Sequence, residues 1–179
     1  METATITKWN LDPTHSEIGF KVKHMMITNV SGSFGTFNVT AQTKGDDFST
    51  ADITFTADIN TISTSNADRD THLKSGDFFD AEKHPELKFV STRMERKDDD
   101  RYKLHGNLTI KGITKPVQLD VEFGGIGKDP WGNEKAGFSL SGKIKRTDWN
   151  LNWNAALETG GVLVSEEVKL TAEVQLIKG

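Results

Sequence analysis

The chain has 179 residues and no cysteine. That excludes a disulfide framework, a thiolate nucleophile and a cysteine-held metal. Its five histidines are scattered, with neither His-x-His nor His-x-x-x-His spacing, so no metal site is expected. His15 and Ser16 are sequence neighbours whose side chains part in a strand, and no nucleophile elbow is present. The expectation is a protein that is not an enzyme and needs no cofactor. Charge of one sign is also lacking. The net charge is −4 with acid and base interspersed, and the only charged run, Glu95 to Arg101, is of mixed sign. Without a basic stripe, no nucleic-acid partner is expected. No stretch approaches the ~20 apolar residues of a membrane-spanning helix. The opening METATITKWN has no basic segment followed by an apolar one, so no signal peptide is expected. The expected location is the cytoplasm, or the periplasm if a leader has been removed.

What is present is alternation. From Tyr102 to Phe123, Leu104, Leu108 and Ile110 alternate with Lys103, His105, Asn107 and Thr109; Val117, Leu119 and Val121 then alternate with Gln118, Asp120 and Glu122. A period of two gives a strand one dry and one wet face. Gly112 supplies the positive φ of a tight reversal, so this is a hairpin, strands five and six. Pro116 has no N–H for a ladder and belongs at the start of the second strand or at a bulge. The hydrophobic share of 35% and the 16 glycines fit a sheet with one wet face and glycine turns.

The same rhythm gives strand one at Ile18, Phe20 and Val22, strand two at Phe37 to Gln42, and strand three at Ile53 to Asn60. Strand four runs from Leu87 to a tip at Asp98 to Asp100, strand seven from Phe138 to Ile144, and strand eight from Val168 to Leu176. Trp9 to Pro13 reads as an extended lead-in, Met25 to Val30 as a break, and Gly32 to Gly35 as a bend. Between strands three and four, Ser65 or Asn66 caps a short helix from Ala67, with Gly76 placed to end it. About eight long antiparallel strands in one domain, residues 1–179, fit an all-β closed barrel that leaves no exposed edge. Such a barrel is filled by side chains or holds one ligand, and small inward residues such as Gly106 and Gly142 leave space in it. A β-sandwich fits the same periodicity.

Four motifs, in order, carry a resemblance. They are WNLDPTHSEIGFKVKHMMITNVSGSFGTF, ADRDTHLKSGDFFDAEKHPELKF, LTIKGITKPVQLDVEF and Arg146-Thr-Asp-Trp149, the last followed by Asn150 where the family usually has Gly. The chain resembles the YceI-like, lipocalin-like polyisoprenoid-binding proteins along nearly its whole length. The resemblance implies an eight-stranded antiparallel lipocalin-like barrel with a short helical crossover between strands three and four. It also implies a tunnel holding a long-chain isoprenoid, such as a polyprenyl or an isoprenoid quinone, or a similar amphiphilic lipid. Frequent homodimers and no established catalysis go with it.

On that resemblance the ten phenylalanines, against one tyrosine, read as lining for a dry tunnel without unsatisfied hydroxyls. The expected lining is Phe20, Val22, Phe37, Phe55, Ile59, Phe89, Leu108, Ile110, Val121, Phe123, Phe138 and Leu140. Leu73, Phe78 and Phe79 form the expected lid. Ordinary core packing is the competing reading for each. Arg69, His72 and Arg146 fall at strand ends or loops, where they either hold a polar head group by charge-assisted hydrogen bonds or serve the scaffold. Arg69 with Asp70 or Asp12 is an expected buried ion pair, and the loops of Trp131, Trp149 and Trp153 are expected to plug a barrel end or pack at an interface. The functional expectation is a lipid carrier or store. An enzyme acting on a bound lipid and a stress-related interaction protein with a solid barrel are the alternatives.

Overall fold

The computed structural model describes residues 5–25, 27–154 and 164–179. Among these, eleven strands form one antiparallel sheet. The first part of the chain gives β1 (Ile6–Leu11), β2 (Glu17–His24), β3 (Thr28–Phe34), β4 (Phe37–Lys44), β5 (Asp47–Asp58) and β6 (Ile62–Ser63). The helix α1 (Ala67–Lys74) follows. The rest is β7 (Glu86–Arg96), β8 (Arg101–Ile110), β9 (Ile113–Lys128), β10 (Glu134–Lys145) and β11 (Val164–Lys178).

The pairings reduce eleven strands to eight staves. β1 and β2 both run antiparallel to β11, β1 beside Leu176 to Lys178 and β2 beside Val164 to Glu173. They are one stave broken by the 3-10 turn Pro13–His15. β4 pairs with β1 as β3 pairs with β2, and β5 pairs with β4 as β6 pairs with β3. Each stave therefore neighbours the next in the chain, and β11 closes the ring on β1 and β2. The result is an all-β, closed eight-stranded antiparallel barrel, with α1 the one α-helix among the described residues.

Four expectations need correction. The lead-in at Trp9 is strand β1, and the expected break and bend at residues 28–34 are strand β3. The helix does not follow the third strand directly: a 3-10 turn, Ile59–Thr61, and the two-residue β6 intervene, so it follows the sixth strand. The helix is capped as expected by Asn66, whose side chain accepts the Arg69 N–H at 3.0 Å. Ser75, not Gly76, ends it.

The β8–β9 hairpin turns on Lys111 (φ 53°) and Gly112 (φ 76°), the two left-handed residues of a two-residue loop whose twist suits paired strands. Pro116 lies inside β9 opposite Asn107. In a two-residue hairpin, alternate pairs turn their N–H groups away from the partner strand, and Pro116 holds one of those positions. The β9 edge it faces has no ladder, because β10 pairs with β9 only from Asp120 to Lys128. A polar cleft lined by Pro116, Val117 and Gln118 on one side and Lys143 and Lys145 on the other opens there, and Trp149, buried behind it, donates to the Leu108 carbonyl at 2.9 Å. The expected space beside the small residues is already used. A Cβ at Gly106 would stand 2.3 Å from the Phe89 ring, and one at Gly142 2.5 Å from Leu119. These glycines let neighbouring side chains lie flat across the inner wall.

Candidate lipid site

Inward residues of all eight staves surround an interior cavity of about 160 Å³. It is lined by Phe20, Phe55, Phe89, Leu108, Ile110, Val121, Phe138 and Leu140, all expected, and by side chains such as Phe34, Phe48, Met94, Leu104, Leu119 and Val174. Apolar cavities of roughly this size stay dry, because a water there finds no polar partner. At one end the cavity meets a second chamber of about 480 Å³, sharing with it Phe20, Phe34, Leu87, Ile110, Ile144 and Leu170. The two chambers are neighbours along the barrel, a small inner one and a larger one at the mouth, with these six side chains bordering both.

The mouth gathers residues from distant parts of the chain. Val22, Arg69, His72, Leu73, Phe78, Phe79 and Arg146 all line it, with Leu151, Trp153 and Val168. Phe78 is buried beneath α1, its ring 5.1 Å from His72 and 5.5 Å from Trp153, while His72 and Trp153 meet edge-on at 4.7 Å. Three rings thus cover one side of the opening. His72 is fixed further by Asp77, 2.8 Å from its Nε2.

The polar side chains here take different roles. Arg146 is 4% exposed. Its Nε donates to the Ser165 carbonyl, one Nη to Leu151 and Trp153, and the other Nη to Val164. Burial pushes its pKa down while Glu166 pulls it up, yet a guanidinium stays charged. Among the described residues no carboxylate lies within ion-pair distance of it, so four of its five N–H groups go to carbonyls and Glu166 acts on its charge only from further off. Arg69 is freer. Nε and one Nη donate to the Thr64 side chain and carbonyl, at 2.7 and 2.8 Å, leaving most of its five N–H groups without a protein partner among the described residues. The expected ion pair of Arg69 with Asp70 or Asp12 does not form. Asp70 instead accepts from Thr64 N and Oγ1 at 2.8 and 2.6 Å. Asp12 accepts from Lys135 at 2.7 Å and lies 2.9 Å from the His15 ring. The Lys135 ammonium holds the Asp12 carboxyl far below the usual range, against its burial, and Thr14 and His15 add to the effect.

Three expected lining residues stand elsewhere. Phe37 packs on Phe55 with ring centres 6.3 Å apart and borders a shallow outer groove. Ile59 is buried in the 3-10 turn after β5, in the core cluster rather than on the channel. Phe123 stacks on Phe138 at 5.1 Å and meets Phe48 at 5.2 Å, in the plug at the far end. Phe48, which alternation missed, is the centre of that plug: it also meets Trp9 at 5.0 Å and Phe138 at 4.8 Å. Between Gln42–Lys44 on β4 and Asp52–Asp47 on β5, five steps oppose two, so the bulge switches the inward parity before Ile53 is reached. The tryptophans also divide: Trp149 is buried, Trp153 joins the mouth, and Trp131 is 82% exposed at the far end.

Residues 9–176 match the YceI-like domain. The chain belongs to the YceI-like family. A UPF0312 protein of Staphylococcus aureus is 40% identical over 171 residues, covering 95% of this chain and 97% of its own. The Campylobacter jejuni YCEI protein, solved as a crystal structure, is 34% identical, covers 100% of this chain and 99% of its own, and superposes with a TM-score of 0.75. The same fold recurs in Burkholderia cenocepacia BcnA, with a TM-score of 0.78 at 21% identity over 92% of this chain and 98% of that one. A polyisoprenoid binding domain from Saccharophagus degradans shares it too, with a TM-score of 0.66 at 13% identity over 96% and 98%. In this YceI-like chain Asn150, where the family usually has Gly, takes φ 61°. Asn is the residue after Gly that best tolerates the left-handed region, so the turn is kept.

Proposed function

We propose that this YceI-like protein binds a long-chain isoprenoid, or a similar amphiphilic lipid, as a carrier or store rather than as an enzyme. The chain occupies the apolar channel and the head group sits at the mouth beside Arg69. The observation that carries this reading is the adjacency of an apolar interior cavity to a larger chamber at the mouth whose lining includes Arg69, His72 and Arg146. Each buried methylene contributes ~0.8 kcal/mol, so a five-carbon unit gains about 4 kcal/mol before entropy costs. Affinity should therefore climb with chain length and level off once the channel is full. The Saccharophagus domain, polyisoprenoid-binding by description, supports the reading through a shared fold. The spare donors of Arg69 favour a head group with negative charge or strong acceptors.

The contrary reading, a barrel packed solid, draws on the far end, where Trp9, Phe48, Phe123 and Phe138 fill the section. Native mass spectrometry of the purified protein with extraction of anything bound, followed by titration with prenyl chains of graded length, separates the two. A bound chain, or affinity rising with length, supports the carrier. An empty protein with no length-dependent uptake supports the solid barrel.

A further inference from the structure

The hairpin joining β2 to β3 breaks the usual turn chemistry. Its sequence is Met25-Met-Ile27, where a three-residue loop ordinarily carries Gly, Asn or Asp. Met25 nevertheless takes φ 53°. Met25 is 45% and Ile27 76% exposed, so neither is taken into the core of this chain. The flanking Lys23, His24 and Val30 line the mouth, which places the apolar tip on the rim of the channel.

Beside the tip, the outer wall carries a row that does not favour the sheet. Lys21 on β2 stands directly opposite Lys169 on β11, and Lys169 directly opposite Lys143 on β10. Like charges in register repel. Lys23 and Lys145 extend the patch, and all five are exposed. Glu167 answers Lys143 at 3.7 Å and Glu166 is nearby; Lys21, Lys23, Lys145 and Lys169 have no ion pair among the described residues. Further from the mouth the sign reverses, with Glu17 opposite Glu173 on the same two strands. Five lysines against Glu166 and Glu167, which stands opposite Lys145, leave the open end with a net excess of cations beside exposed apolar side chains.

We propose that this rim docks on an anionic lipid bilayer, with Met25 and Ile27 at the acyl boundary and the lysine row over acidic head groups, so that the mouth opens onto the membrane; this rests on the lipid-binding reading above. A short apolar tip and a basic patch are the two signals that together give reversible attachment. Docking of this kind lets a chain pass between bilayer and barrel without crossing water.

The test is co-sedimentation of the full chain with vesicles of phosphatidylcholine alone and of phosphatidylcholine with phosphatidylglycerol. Binding is expected only to the anionic vesicles and is lost as salt is raised. Ile27→Asp should weaken it at least tenfold. Lys21→Gln with Lys169→Gln should weaken it about fivefold per lysine. Trp131→Ala, at the opposite end, should leave it unchanged. Thermal melts check that each variant is folded. Equal binding to neutral vesicles, no binding, insensitivity to the rim variants, or loss in Trp131→Ala overturns the proposal. So does a dimer that Ile27→Asp dissociates, since the face would then belong to a second copy. Uptake of a soluble prenyl probe without vesicles is measured alongside. A protein that takes the probe but ignores vesicles defeats docking alone, and one that binds vesicles but takes no probe defeats the carrier reading alone.

Discussion

The two ends of this barrel are built from the same staves and solve opposite problems. At the far end aromatic rings meet ring to ring around Phe48, and Trp9, 0% exposed, spends its indole N–H on Thr43 at 3.0 Å. At the mouth, rings cover only one side, and the polar groups are tied to backbone carbonyls or left with donors to spare. The far end spends its side chains on packing. The mouth keeps a chamber open and pins its frame with Arg146, whose four bonds join the loop after β10 to the start of β11. One stack of strands can thus be stable at one end and receptive at the other.

The comparison predicts that the same truncation acts differently at the two ends. Phe48→Ala should cost about 4 kcal/mol in urea unfolding, because it removes the ring on which Trp9, Phe123 and Phe138 pack, while leaving the rate of ligand entry at the mouth unchanged. A cost below about 1 kcal/mol would show that the far end is not the rigid plug. Next in size is Asp12→Asn, expected to cost about 2 kcal/mol at neutral pH; Lys135 keeps Asp129 at 3.5 Å as a second partner, which limits the loss. The folded pKa of Asp12 is depressed, so its contribution is complete above the ordinary carboxylate value of about 3.9 and disappears as pH falls towards the lower folded value. The Lys135 pKa is raised, chiefly by its bond to Asp12, so its share is complete below about pH 10.4 and is lost as pH rises through the folded value. Melts of wild type and Asp12→Asn should therefore converge at both extremes. A gap that persists unchanged at pH 2 would mean the pair does not stabilise the fold.

What the sequence made legible follows the same division. Alternation found the staves because each has one wet face, and it found much of the lining because Phe55, Phe89 and Leu108 stand opposite one another where three neighbouring strands are in register. It failed where the ladder is irregular. β1 offers only Trp9 and Leu11 as an inward pair after Thr7, and β3, Thr-Asn-Val-Ser-Gly-Ser-Phe, has the composition of a bend. Phe48 was hidden by a change of phase at a bulge. The partners of Arg146 could not be read at all, since a carbonyl has no sequence identity. The mouth motifs were visible as a set, through resemblance, but only the structure divides them into an anchored Arg146 and an available Arg69.

That division sets the two smaller predictions. Arg69→Gln should weaken binding of a prenyl chain with an anionic head group about tenfold, the loss of one charge-assisted hydrogen bond, and leave a prenyl alcohol nearly unaffected; calorimetric titration of both chains reads the difference. Equal losses for the two would mean that Arg69 holds the scaffold and not the head group. Phe79→Ala should have the smallest effect. Phe79 is half-buried on the mouth wall, and its N–H already serves the frame by donating to the Leu73 carbonyl at 3.0 Å. Its ring is therefore separable from the fold, whereas the ring of Phe78 is locked between His72 and Trp153. Removing the Phe79 ring should raise the dissociation rate of a bound chain about threefold, a loss of ~0.7 kcal/mol of apolar contact from a partly exposed side chain. Stability should change little. An unchanged dissociation rate would move the lid from Phe79 to the locked rings, and release would then require α1 itself to shift.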